Sequence, residues 1–239
     1  LFPGGLLSLK VFEARYLDLV STCLRERRPF GVVALHKGNE VRRGEESIVF
    51  EDIGVTAELL EVDSAQPGIL HLRCRGTQRF RIGATRQQPD GLWIASVQML
   101  PDDTTAAPSE ALHETVRGLA NAIASLKGKG VEPFEQPYQF DSAGWVANRW
   151  CEILPISLAA KQKLMELPDP RVRLELVEGA LEQLLRFGVD PLERVGVVHP
   201  LLGQRGDLLG QVGFLAWMRT GGNLVDVGGA VKLFVNAAS

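Results

Sequence analysis

The chain has 239 residues, of which 45% are hydrophobic and 23% charged, and these proportions are typical of a soluble globular protein with a sizeable core. Its formal net charge of −3 argues against a general nucleic-acid binder, and no apolar run approaches the ~20 residues that a membrane helix needs. The first residues lack the pattern of a signal peptide, and three widely spaced cysteines indicate reduced, buried thiols, so we expect a cytoplasmic protein.

The chain opens with a turn, a short strand and one helix. Phe2-Pro3-Gly4-Gly5 is a turn sequence, and residues 6–11 are brief and extended. From Phe12 the apolar positions adopt helical spacing, and Pro29 ends the predicted helix. Residues 30–35 then predict a buried strand. The apolar stripe of the helix comprises Phe12, Tyr16, Leu19, Val20, Cys23 and Leu24.

Alternating apolar and polar residues follow, up to about residue 100. They predict strands over residues 54–62, 69–76, 79–82 and 91–100, with turns between them at 76–78 and 89–91. The inward positions of the middle two strands are Leu70, Leu72, Cys74, Phe80 and Ile82. Several short strands joined by turns predict a closed or nearly closed antiparallel barrel.

From about residue 105 the apolar period becomes helical. One helix is predicted over residues 112–126, and a second follows Asp141, a good cap, and carries Trp145 and Trp150. Ser157 caps a short third helix through Leu167, and Asp169-Pro170 starts a last one. The polar side of this last helix carries Arg171, Arg173, Glu175, Glu178 and Glu182.

Beyond residue 186 neither period is sustained. Residues 187–239 hold 10 of the 25 glycines, so we interpret them as a Gly-rich C-terminal extension, of which residues 208–218 are candidates to dock on the helical part. The sequence therefore predicts an α+β protein in three parts. They are a β-rich subdomain (1–104), a helical subdomain (105–186) and the extension (187–239).

The assembled motifs resemble the LON domain, the N-terminal substrate-binding domain of Lon proteases, which also occurs in stand-alone bacterial proteins. They are LFPGGLLSLKVFEARYLDLV, CLRERRPFGVV, GVTAELLEV, RGTQRFRI and LPISLAAKQKLMELPDPRVRLELVEGAL, in this order over residues 1–186. The resemblance implies a PUA-like β-barrel followed by a helical bundle. The family often has proline where Ser8 and Ala14 stand, and these departures affect local turns only.

Family members usually carry a short strand before the first Pro-Gly turn. We therefore expect this chain to begin after that strand, which would leave one barrel strand without a neighbour. An open edge of this kind invites pairing with another chain, so self-association is one expectation.

The chain shows no motif of an ATPase, a protease or a metal site. It has no G-x-x-x-x-G-K-[ST] and no G-x-S-x-G, and Gly128-Lys129-Gly130 lacks the strand-loop-helix context of a phosphate site. The four histidines, His36, His71, His113 and His199, are scattered and have no cysteine partner at ligand spacing. We expect no enzymatic activity, no cofactor and no metal. A third hypothesis, that the protein is a hydrolase, would need a nucleophile and a general base that lie close together in the fold.

Four arginines are predicted to share the outward face of one hairpin: Arg73, Arg75, Arg79 and Arg81. Arginine binds phosphate or carboxylate through two hydrogen bonds, and PUA-like barrels in other proteins bind RNA, so one hypothesis is RNA binding. The alternative, which we favour, is a charged outer face paired with acidic residues such as Glu58 or Glu61 on the preceding strand.

Several aromatic residues are candidates for a groove between barrel and bundle. They are Trp93, Phe134, Trp145 and Trp150, although most tryptophans at helical spacing simply belong to the core. With the family resemblance, they favour a non-enzymatic module that binds unfolded or exposed polypeptide segments, alone or with a protease in trans. RNA binding through the arginine face is the alternative.

Overall fold

The computed structural model describes residues 1–37, 49–188, 212–214, 222–227 and 231–236. Over these residues it is an α+β protein, which confirms the predicted fold class. The strands are β1 (Leu6–Val11), β2 (Phe30–Lys37), β3 (Val49–Phe50), β4 (Ile53–Gln66), β5 (Ile69–Gln87), β6 (Trp93–Met99), β7 (Val212–Phe214), β8 (Gly222–Val227) and β9 (Val231–Asn236). The helices are α1 (Ala14–Glu26), α2 (His113–Gly128), α3 (Ala143–Ile153), α4 (Leu158–Glu166) and α5 (Pro170–Arg186).

The described residues fall into two compact units. The sheet unit contains residues 6–101 and the three C-terminal strands, and the helical unit contains the turn Phe2–Gly5 together with the chain from Asp102 through α5. None of the helices in the described part of the chain is both long and apolar enough to cross a membrane.

The sheet is antiparallel in every described pairing. The strand order is β1-β5-β4-β2-β9-β8, while β3 and β7 pair with β2, and β6 pairs with β5. Strand β5 organises this arrangement because its first half pairs with β1 and its second half with β6, while β4 covers most of its other edge. Its alternating apolar residues place Leu72, Cys74 and Phe80 in the core, as predicted.

Helix α1 packs on the sheet through a narrower stripe than the sequence predicts. Four of the expected residues are buried, namely Tyr16, Leu19, Val20 and Cys23. Phe12 and Leu24, the other two members of the predicted apolar stripe, are instead 54% and 48% exposed. The physical reason is that the helix begins only at Ala14 and ends at Glu26, which leaves these two residues near its ends.

The turn predicted at residues 76–78 is wrong, because β5 runs through this point as one strand of 19 residues. The register against β4 shifts here: Ala57 faces Gly76, but Val55 faces Arg79, so β5 carries one extra residue in a bulge. The hydroxyl of Thr56 accepts a hydrogen bond from the Gln78 N–H at 3.0 Å. This side chain therefore satisfies a backbone group that the bulge removes from the regular ladder.

The helical unit is built from helices that begin close to the predicted residues. Ser157 caps α4 by accepting from the Ala160 N–H at 3.2 Å, and Asp169 caps α5 by accepting from the Arg171 N–H at 2.8 Å. Both caps were predicted. The cap of α3 was predicted one residue too early, since Ser142, and not Asp141, accepts from the Trp145 N–H.

The C-terminal segment contributes strands β7, β8 and β9. Of the region that was expected to dock on the helical part (208–218), residues 212–214 pair with β2 of the sheet unit, and the others lie outside the described residues. Strand β9 also pairs with β2, through Phe30 and Gly31, and β8 pairs with β9.

The three cysteine thiols, Cys23, Cys74 and Cys151, are free and buried. Burial raises the pKa of each thiol from 9.0 to about 12. An unfolded thiol ionises near pH 9, whereas the folded one keeps its proton until about pH 12. Unfolding therefore releases protons in this window, and stability, which is full below pH 9, falls as the pH rises through it.

Replacing Cys151 with alanine is expected to flatten this alkaline loss of stability. Each such thiol contributes a slope of about 1.4 kcal/mol per pH unit between its unfolded and folded pKa values. Urea unfolding at several values of pH between these limits measures the slope for the original chain and the Cys151→Ala variant. An identical slope in the two proteins would contradict the assignment of a raised pKa to this thiol.

Candidate functional site

The outward face of the sheet unit carries cross-strand pairs of opposite charge. Arg73 Nη1 donates to Glu61 Oε1 at 2.8 Å, and Arg75 Nη2 donates to Glu58 Oε2 at 2.9 Å. Directly opposite residues on neighbouring strands lie on the same face, which is why the register produces these pairs. The structure therefore shows the alternative that we favoured for Arg73 and Arg75, a charged outer face on which arginines pair with acidic residues of the neighbouring strand.

The other two arginines do not extend this face in the predicted way. Arg79 is only 5% exposed, so its predicted outward orientation is wrong. The bulge in β5 lies between Gly76 and Arg79 and breaks the strict alternation on which that prediction depended. Arg81 lies beyond the bulge and is exposed, as predicted.

An aromatic cluster lies on the helical unit, formed by Phe134, Tyr138, Phe140 and Trp145. The Trp145 ring lies 5.4 Å from Phe140, 5.9 Å from Tyr138 and 6.2 Å from Phe134. Two of the three contacts are edge-to-face, the geometry that aromatic quadrupoles favour. Phe134 is buried, and the other three rings are partly exposed. The cluster therefore combines one buried ring, Phe134, with three rings that are partly accessible to solvent.

The remaining aromatic candidates lie elsewhere. Trp93 is partly buried in the sheet unit, where its ring meets Phe50 edge-on at 5.3 Å. Trp150 is 4% exposed, and its indole N–H donates to the Thr115 carbonyl at 2.9 Å. The structure brings Phe134 and Trp145 together, and places Trp150 in the core of the same unit. Tyr138 and Phe140 join the cluster, although sequence reasoning did not select them.

A buried arginine, Arg149, lies beneath the aromatic cluster. Its guanidinium carbon is 5.3 Å from the centre of the Phe134 ring and 5.9 Å from that of Trp145. Burial lowers the pKa of Arg149 and raises that of its neighbour Glu152, and the opposite charges of the two groups offset part of both effects. Sequence reasoning missed this pair, although an Arg-x-x-Glu spacing on a helix signals an ion pair.

A second buried arginine, Arg173, holds the helical unit together. It was predicted on the polar side of α5, but its side chain is only 1% exposed. The guanidinium binds both carboxylate oxygens of Asp103, at 2.6 and 3.0 Å, and also donates to the carbonyl oxygen of Leu164 at 3.0 Å. A buried arginine is tolerated when its donors are satisfied in this way, and here it acts as a structural element.

Within the described residues, no three His, Cys, Asp or Glu side chains gather in a way that could hold a metal ion. His36 and His199 have side chains outside the described part, while His71 faces Asp63 across β4 and β5. The arrangement that the described residues do offer is a rigid aromatic surface on one unit and a charge-paired sheet face on the other.

The chain matches the family model of the ATP-dependent protease La (LON) substrate-binding domain over residues 1–183. It is 28% identical to a Lon protease of Paraburkholderia phytofirmans over 187 residues, covering 76% of this chain but 22% of that protein. Protein cereblon of Gallus gallus is 32% identical over 140 residues, covering 57% of this chain and 28% of that protein.

Among solved structures, the chain is similar to the Lon N-terminal domain protein from Xanthomonas campestris. The TM-score is 0.59 at 29% identity, and the match covers 75% of this chain and 91% of that one. The predicted family resemblance is confirmed by a family match over most of the chain and by this shared fold. The chain belongs to the family of LON substrate-binding domains.

Proposed function

We propose that the chain is a non-enzymatic module of the bacterial cytoplasm that recognises unfolded or exposed segments of other polypeptides. The observation that carries the proposal is the match of residues 1–183 to a domain whose role in its family is substrate binding. The chain spans about a fifth of the length of the Lon proteases that it matches. A protease acting in trans is part of this proposal, as the receiver of the bound segments.

The aromatic cluster supplies the contact surface in this proposal. Trp145 is the central ring, and Tyr138 and Phe140 present their partly exposed rings beside it. Rigid aromatic rings offer large apolar contact area at a small cost in side-chain entropy, and they suit segments of varied sequence. Phe134 is buried and supports the cluster by packing against Trp145. Trp93 is a separate, partly buried aromatic residue on the sheet unit.

The charged face of the sheet unit does not favour the RNA-binding alternative. The guanidinium groups of Arg73 and Arg75 are already engaged by Glu61 and Glu58, and Arg79 is buried. A phosphate backbone would have to displace these carboxylates, and the acidic partners would then repel it. Arg73, Arg75 and Arg81 are therefore proposed to keep this face charged and solvated.

Replacing Phe140 with alanine is expected to weaken polypeptide binding about tenfold, because it removes one partly exposed ring from the cluster. Phe140 is chosen because Trp145 also contacts the buried Arg149, so replacing Trp145 would disturb that side chain as well. The measurement is a titration of the chain with a reduced, alkylated and permanently unfolded protein, followed by tryptophan fluorescence. Dissociation constants in the micromolar range or weaker are expected for such shape-tolerant contacts.

The matched control is Phe187→Ala, which removes an aromatic ring that is 83% exposed and lies outside the cluster. This variant is expected to bind the unfolded protein as the original chain does. Absence of binding at high micromolar concentration would overturn the proposed function, and equal weakening by both variants would remove the cluster from it. Binding of single-stranded RNA at low salt would instead favour the alternative.

A further inference from the structure

The guanidinium of Arg149 binds main-chain carbonyl groups of a turn that is distant in sequence. Nη1 donates to the carbonyl oxygen of Gly4, and Nη2 donates to that of Pro3 at 2.9 Å. Nη2 also donates to Glu152 Oε1 at 3.1 Å. One arginine thus binds two consecutive carbonyl groups of the N-terminal turn, although 145 residues separate it from Gly4. Carbonyl groups of this kind are present in every polypeptide, so selectivity must come from other contacts.

Glu152 and the backbone conformation supply that selectivity, each at one of the two glycines. A Cβ atom at residue 5 would lie 1.9 Å from Glu152 Oε1 and 3.0 Å from the Phe2 carbonyl oxygen, so any residue larger than glycine would force one of these groups to move. Gly4 has a φ of +75°, which side chains rarely adopt. Burial raises the pKa of Glu152, and the charge of Arg149 and the backbone of Phe2 both act in the opposite direction. Arg149 therefore binds two carbonyl groups of the four-residue turn, and Glu152 limits the space at residue 5.

The site is assembled by residues outside the turn. The rings of Phe134 and Trp145 lie over the guanidinium and fix its orientation, while Lys161 Nζ donates to the Glu152 carbonyl at 3.0 Å near the end of α3. The turn itself is closed by a hydrogen bond from the Gly5 N–H to the Phe2 carbonyl at 2.9 Å, and the Phe2 side chain is 4% exposed. The turn of residues 2–5 and the side chains that bind it are thus separate segments of the helical unit.

We propose that Arg149 and Glu152, supported by Phe134 and Trp145, form a binding site for Phe-Pro-Gly-Gly turns, which residues 2–5 fill in cis and the same turn of a second copy can fill in trans. The turn is bound by side chains of these four residues, and none of the contacts requires a covalent connection between the turn and the site. A turn attached to its own site has an effective concentration in the millimolar range, so exchange between copies needs the cis turn to be weakened.

The test uses the full chain with Gly5→Ala, because the added Cβ would lie 1.9 Å from Glu152 Oε1 and is expected to displace the cis turn. An acetylated and amidated peptide of sequence LFPGGLLS is titrated in while tryptophan fluorescence is followed, since Trp145 borders the site. We expect saturable binding at least about tenfold tighter than that of the peptide LFPGALLS, and about tenfold tighter than binding to the original chain. Adding Arg149→Met should abolish it.

A second measurement covers the case in which Gly5→Ala does not fold. The original chain is mixed with each peptide at ~20–50 mM, above the millimolar effective concentration of the cis turn, and the NMR signal of the Trp145 indole N–H is followed. A shift caused by LFPGGLLS and not by LFPGALLS supports the site. Equal effects of the two peptides, or no effect of either, would overturn it and leave the turn as a purely intramolecular contact.

Discussion

Replacing Arg173 with methionine is expected to lower the free energy of unfolding of the helical unit by about 3–5 kcal/mol. The guanidinium makes five hydrogen bonds within this unit, to the side chains of Asp103 and Asn148 and to the carbonyl groups of Leu164 and Leu167. A methionine side chain occupies part of the same space but has no hydrogen-bond donor. The variant therefore leaves a largely buried carboxylate and several carbonyl and amide oxygens without this partner.

Urea unfolding followed by the helical circular dichroism signal measures the effect. The matched control is Arg186→Met on the same helix. The Arg186 side chain is 78% exposed, and its Nη2 lies 3.7 Å from Glu182 Oε2. Exposed ion pairs contribute little, so this control should unfold as the original chain does. If Arg173→Met lost no more stability than Arg186→Met, the buried network would not be what holds the unit together.

Replacing Phe80 with alanine is expected to destabilise the sheet unit by about 3–5 kcal/mol. The side chain is fully buried on β5 and belongs to the core cluster with Tyr16, Phe30 and Val32. Its ring lies against Gly54, where an added Cβ would come within 2.5 Å of the ring. The loss of the ring therefore removes apolar burial and opens a cavity that the short glycine cannot fill.

Phe12→Ala provides the comparison, because it makes the same chemical change at a side chain that is 54% exposed. We expect it to cost about 1 kcal/mol or less, since roughly half of its apolar surface is already in water. Thermal or urea unfolding of the two variants gives the difference directly. Similar losses from both substitutions would mean that the core of the sheet unit does not depend on Phe80 as the packing indicates.

Local signals in the sequence predicted those features that depend on neighbouring residues. The Asp169-Pro170 start of α5 is one, because a cap bonds to a backbone group two or three residues away. The alternation that buries Leu72 and Cys74 is another, because it follows from strand geometry alone. Element types are recoverable for the same reason, and the family motifs then added their order in the fold.

Features that depend on distant partners could not be predicted in this way. The bulge in β5 needs the hydroxyl of Thr56, which is 22 residues from Gln78, so a glycine-containing stretch suggested a turn instead. Arg173 was placed on the outer side of α5 because its charge suggested water, whereas its partner Asp103 is 70 residues away. In the candidate site, Trp145 was selected from its residue type, but the rings around it are assembled by packing.

The distance in sequence between the N-terminal turn and Arg149 has a consequence for how the protein is made. Gly4 leaves the ribosome 145 residues ahead of the side chain that binds it. At usual translation rates that interval is about 7–30 s, far longer than local helices need to form. The turn of residues 2–5 therefore cannot form its contacts with Arg149 until α3 has been synthesised, so it stays without these hydrogen bonds through that interval.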